Sequence, residues 1–146
     1  MKVAKNIGIK WAAAWSQSDP INWANIYAED ATYTDYAFGF IRRGKAGLKD
    51  HFNIWRKAHP DFEMIVLEVW PAIDMDDGHM KTSIRTKNVG TFTKDLPSMK
   101  ASGRKFEFYA VVDLVFRNGD GLVVKVEEWY HRQFDGPALI ERDSRL

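Results

Sequence analysis

The chain has 146 residues, 45% hydrophobic and 28% charged, with 21 Lys and Arg against 20 Asp and Glu for a formal charge of +1. That length suits one domain around one core, residues 1–146, and the scattered cations exclude the dense basic face that nucleic acid or an acidic membrane requires. Cysteine is absent, which removes disulfides, thiol nucleophiles and iron–sulfur or cysteine–zinc sites.

From the amino terminus, Val3, Ile7, Trp11, Ala14 and Trp15 recur at helical spacing and predict an amphipathic helix near residues 4–16. Ser18-Asp19-Pro20 supplies a cap followed by proline at the first helical position, and predicts a second short helix running through Tyr27. ATYTDYAF then reads as a short strand with Tyr33 and Asp35 on one face, and Gly39 and Arg42-Arg43-Gly44 mark its exit. Between Lys45 and His59 an apolar stripe of Leu48, Phe52 and Trp55, with His51 beside it, predicts a third helix stopped by Pro60.

After Pro60 the period changes. FEMIVLEVWPAI, GHMKTSIRTKNVGTF, GRKFEFYAVVDLVF and GLVVKVEEWYHRQF are β-branched or aromatic runs separated by DMDDG, KDLPSMKASG and RNGDG. They predict four strands in antiparallel hairpins. Helices followed by a meander give an α+β class, in which helices cover one face of a curved sheet and close a cone whose interior is the natural pocket. Six Trp, five Tyr and nine Phe supply walls for such a pocket as readily as filling for a core.

The longest apolar runs, IVLEVW and YAVVDLVF, are each broken by an acid and fall short of a bilayer span. The start of the chain lacks the uninterrupted apolar core of a signal peptide, so a soluble cytoplasmic protein is expected. His51, His59, His79 and His131 show no close pairing of the kind that binds metal. Neither a GxSxG elbow nor a glycine-rich phosphate loop is present.

Four strings stand in an order that resembles a known superfamily. They are YAEDATYTDYAFG followed by Gly44 and the third helix, GTFTKDLPSMKASGRKFEFYAVV, FRNGDGLVVKVEEW, and the closing HRQFDGPALIE. Together they resemble the nuclear transport factor 2-like superfamily, in particular its SnoaL-like polyketide cyclase and ketosteroid isomerase branches. The resemblance implies a cystatin-like α+β roll, a cone-shaped and mostly antiparallel sheet wrapped around the N-terminal helices. It also implies cofactor-free chemistry on a small apolar carbonyl compound held in the cone.

Residue by residue, Asp35 matches the general-base aspartate of the ketosteroid isomerases, and a carboxylate in an apolar cone gains basicity by losing water. Asp113 resembles, in its spacing to Gly121, the oxyanion-hole aspartic acid of those enzymes. Strand alternation sets it instead with Glu107, Tyr109 and Arg117, on the face opposite Phe106, Phe108 and Val112, unless a bulge intervenes. Glu128 lies close to the acid of SnoaL-like cyclases on the last strand and shares a face with Val124, Val126 and Tyr130. The alternatives for Glu128 are an ion pair with Arg85 or Lys87, or a position facing solvent.

Trp11 stands where ketosteroid isomerases carry a tyrosine, so its indole N–H either donates to a carbonyl oxygen or is simply core. Tyr33, His51, Trp55 and Tyr130 complete the expected binding residues. Isomerisation and aldol cyclisation share the proton abstraction, dehydration follows the same first step, and a non-catalytic ligand-binding domain is the rival reading. The open sheet face with Tyr109, Val111 and Val115 points to a homodimer.

Overall fold

The computed structural model describes residues 2–132 together with Phe134, Gly136, Ala138 and Leu139. Gln133, Asp135, Pro137 and residues 140–146 lie outside the described residues, so the closing HRQFDGPALIE string is only partly covered.

The first helix, α1 (Lys2–Trp15), buries Trp11, Ala12, Ala14 and Trp15 against the sheet. The short helix α2 (Pro20–Ala24) follows, capped by Asp19, whose carboxylate accepts the Ile21 N–H at 2.9 Å. It ends before the expected Tyr27 because the backbone there has another partner. The Ile26 carbonyl accepts the Val123 N–H at 2.9 Å, and Tyr27 already pairs with Val123 as the first residue of β1 (Tyr27–Asp35).

The expected strand over ATYTDYAF therefore begins earlier and stops at Asp35. The Asp35 side chain accepts the Phe38 N–H at 2.8 Å and its carbonyl accepts the Gly39 N–H at 2.8 Å, which closes a turn. Gly39 takes a φ of 74°, a conformation open to glycine. Beyond the turn, β2 (Phe40–Arg43) pairs antiparallel with β1 where the sequence suggested only an exit. Helix α3 (Gly44–Ala58) then buries Leu48, His51, Phe52, Trp55 and Ala58.

The run FEMIVLEVWPAI divides into β3 (Glu63–Val69) and a two-residue β4 (Ile73–Asp74), with Pro71 between them unable to donate to a ladder. Next come β5 (His79–Thr91), β6 (Lys105–Arg117) and β7 (Val123–Tyr130). Sheet order is β2-β1-β7-β6-β5-β3, with β4 on β5. All pairings are antiparallel except β1 with β7, which is parallel and was not foreseen.

The result is the expected α+β class, a curved, open, antiparallel-dominated sheet with helices over its concave face. On β6 the alternation holds as expected: Phe106, Phe108, Ala110, Val112, Leu114 and Phe116 are buried. On β7 it shifts. A register irregularity between Val115 and Phe116 pairs Phe116 with Val123, so Val123 is buried and Val124 is not among the buried residues. Trp11, Trp23, Tyr27, Tyr33 and Phe52 are fully enclosed, and burying each such ring is worth roughly 1.5–3 kcal/mol before its ordering cost. No helix among the described residues is long and apolar enough to cross a membrane.

Candidate functional site

In the parallel β1–β7 register, Asp35 stands beside Glu128. Strand alternation then brings Tyr33 and Asp35 from β1, and Glu128 and Tyr130 from β7, to the concave face together. Two hydrogen bonds cross between the strands. The Tyr33 hydroxyl donates to Glu128 Oε1 at 3.0 Å, and the Tyr130 hydroxyl donates to Asp35 Oδ2 at 2.7 Å. Asp35 is 2% exposed and Glu128 6%.

Two carboxyl groups with so little water between them do not both ionise readily. Burial, reinforced by the charge of Asp35 and opposed by the Tyr33 hydroxyl, pushes Glu128 up to about 8. Burial also raises Asp35, but the Phe38 and Ala37 amides, the Tyr130 hydroxyl and the Arg132 charge all favour its ionised form. Within the pair the surroundings therefore favour the proton on Glu128 and the charge on Asp35. Tyr33 and Tyr130, raised chiefly by burial, remain protonated donors.

His51 reaches the same interior from α3. Its ring packs 4.7 Å from Tyr33, 5.3 Å from Phe40 and 5.4 Å from Trp15. Burial and the nearby Arg42 charge push it down to about 3, so it is a neutral imidazole with an N–H to give and no charge.

These groups meet two neighbouring hollows that share part of their lining. The larger, about 190 Å³, is walled by Phe38, Phe40, Ile54, Trp55, Leu96 and Pro97, with Asp35, Arg42, His51 and Ser98 as its polar lining. The smaller, about 10 Å³, has room for about one water and shares Asp35, His51 and Trp55 with the first. Glu128, Tyr130 and Asn88 also line it. Asn88 is fully buried and donates to Thr86 Oγ1 at 2.9 Å, while its Oδ1 has no hydrogen-bond partner. Among the described residues no cluster of three His, Asp or Glu could hold a metal ion.

Of the residues expected at the site, Asp35, Glu128, His51, Trp55 and Tyr130 come together at the hollows, while Tyr33 lines neither and reaches the site only through its hydrogen bond to Glu128. Two others stand apart. The Trp11 indole N–H donates to the Tyr27 hydroxyl at 2.8 Å, inside a cluster with Trp23 and Tyr33, and the ring lines neither hollow. Asp113 pairs in register with Ser83 and Glu127, without a bulge at that point, and its carboxylate meets Lys81 Nζ at 3.4 Å on the outer face. The alternative partners for Glu128 are also taken, since Arg85 meets Glu68 and Lys87 meets Glu107.

Sequence reasoning missed Arg42 and Asn88. Arg42 was visible only as a mark of the strand's end, and its face becomes defined once Tyr33 is known as its cross-strand partner. Asn88 lies in a strand where Thr82, Thr86 and Gly90 face inward along with Ile84, and so few apolar residues mask the alternation.

The SnoaL-like domain family matches residues 9–126. No curated protein matches the chain by sequence. Similar solved structures include a protein from Catenulispora acidiphila with a ketosteroid isomerase-like fold, in complex with trimethylamine. It is 18% identical, with a TM-score of 0.65 over 86% of this chain and 85% of that one. A protein from Jannaschia named as a SnoaL-like polyketide cyclase is 12% identical, with a TM-score of 0.68 over 88% and 85% of the two chains. A cystatin-like protein from Caulobacter vibrioides is also 12% identical, with a TM-score of 0.70 over 88% and 87%. The family match spans well over half of the chain, which therefore belongs to the SnoaL-like domain family.

Proposed function

We propose that this chain is a single-domain, cofactor-independent enzyme of the cyclase or isomerase type, acting on a small, largely apolar carbonyl compound. Asp35 removes a proton from the carbon next to the carbonyl, and the neutral His51 N–H donates to the enolate oxygen that develops. Glu128, holding the proton of the carboxyl pair, keeps Asp35 ionised and returns a proton after the carbanion has rearranged. The single observation that carries this reading is a buried Asp35 carboxyl opening onto the apolar hollow beside a neutral imidazole.

Solvent deuterium exchange tests it. Acetophenone in D₂O with the protein should lose methyl protons faster than in buffer alone, followed by NMR. Asp35→Asn should cut the protein-dependent rate about 10²–10⁴-fold while the ketone still binds. Exchange no faster than in buffer, with binding intact, would leave a ligand-binding domain instead.

One observation favours dehydration as a second reading. The smaller hollow, with Glu128 and the unpartnered Asn88 Oδ1 on its wall, suits a departing hydroxyl that takes the Glu128 proton and leaves as water. A β-hydroxyketone probe would then gain the absorbance of a conjugated enone. The outer sheet face, with Tyr109, Val111 and Trp129 exposed, supports a homodimer.

A further inference from the structure

Arg42 is a cation on an apolar wall. It sits on β2 directly across from Tyr33, so both side chains rise from the same concave face. The guanidinium lines the larger hollow, its Cζ 4.7 Å from the centre of the Phe40 ring, and its Nε is buried without a hydrogen-bond partner. Among the described residues no carboxylate pairs with it; the ion pairs lie elsewhere, on the helix, turn and outer-face charges. Asp35 does not neutralise it either, since that carboxylate is held by Phe38 and Tyr130 and feels the charge of Arg132. A half-buried guanidinium with an unpartnered Nε and no anion beside it keeps unmet hydrogen-bonding capacity, and its planar fork matches one carboxylate in two parallel hydrogen bonds.

We infer that Arg42 selects the substrate: the carbonyl compound carries a carboxylate, which Arg42 binds while its acidic C–H faces Asp35. This rests on the larger hollow being the substrate site. The spacing fits a single ring. Asp35 pairs with Phe40, and Arg42 lies two residues further along β2, so the two Cα atoms are about 8 Å apart by strand geometry. One guanidinium beside a neutral His51 supplies one positive charge, which suits a monoanion better than a phosphate dianion facing Asp35.

The test compares 4-acetylbenzoate with its methyl ester at neutral pH, binding being read by titration calorimetry and exchange of the acetyl protons by NMR in D₂O. Wild-type protein should bind the acid about tenfold or more tightly than the ester. Arg42→Gln should bring the two within about threefold, Arg42→Lys should retain part of the preference, and Asp35→Asn, which removes a like charge from the hollow, should retain or raise it. Equal binding of acid and ester by the wild type, or an undiminished preference in Arg42→Gln, overturns the inference; the wild-type comparison needs no variant to fold. Acid preference without proton exchange upholds Arg42 and removes the proposed chemistry. Exchange without acid preference does the reverse.

Discussion

Asp35 and Glu128 share one environment yet differ in what surrounds each oxygen. Two amides, a hydroxyl and a distant cation favour a charge on Asp35, whereas Glu128 has only the Tyr33 hydroxyl against its burial. That difference has a thermodynamic signature. Glu128 titrates at about 8 in the fold against an ordinary value of 4.5. Between those two values the folded chain holds a proton that the unfolded chain has released, so stability falls as pH rises through the window. Glu128→Gln removes this titration while keeping an acceptor for Tyr33. By calorimetry its melting temperature should match or fall slightly below wild type at pH 4.5 and exceed it at pH 8.5 by on the order of 5 °C. A difference that does not change with pH would mean that the buried acid is not the proton carrier.

Among the elements, those with a strong internal pattern were legible. The alternation of β6 foretold its buried face, the stripe of α3 brought His51 and Trp55 to the interior, and Pro60 marked that helix's end. Less legible was whatever depended on a distant partner. Four residues, Phe40 to Arg43, hold too few alternations to announce a strand, and the parallel β1–β7 pairing joins segments that nothing local connects. Asp35 was found because a family pattern marks its position, but its pairing with Tyr130 and the charge opposite Tyr33 needed the register. Asp113 fared differently: alternation alone indicated the outward face, and the regular register there agrees with it.

Helix α1 lies close against the sheet at Gly8. A Cβ there would lie 2.9 Å from Ile84 Cγ2 and 3.3 Å from Val69 Cγ2. Gly8→Ala gains about 0.8–1 kcal/mol of helix propensity, but overpacking a close contact costs about 1–3 kcal/mol. The second effect should win, so urea unfolding should give a variant destabilised by about 1 kcal/mol. A stabilised variant would show that α1 can lift off the sheet without loss.

At the scale of the whole molecule, the convex sheet face is left open. Tyr109, Val111 and Trp129 are each 39% exposed on neighbouring strands, and Trp129 stacks on Tyr36 at 4.8 Å between ring centres. Contiguous apolar surface of this kind favours association. Light scattering at micromolar concentration should give twice the chain mass of 16.9 kDa, and Val111→Glu should return it to the monomer value. A wild-type chain that stays monomeric there would remove the proposed pairing.

The Tyr33–Glu128 and Asp35–Tyr130 contacts each join residues 95 positions apart. A ribosome adding about 5–20 residues per second therefore releases the first carboxylate roughly 5–20 s before its anchoring phenol exists. Until that moment the nascent polypeptide holds the two halves of the carboxyl pair unjoined, and a product terminated before β7 leaves an open edge on β1. The carboxyl pair is complete only when the final strand docks.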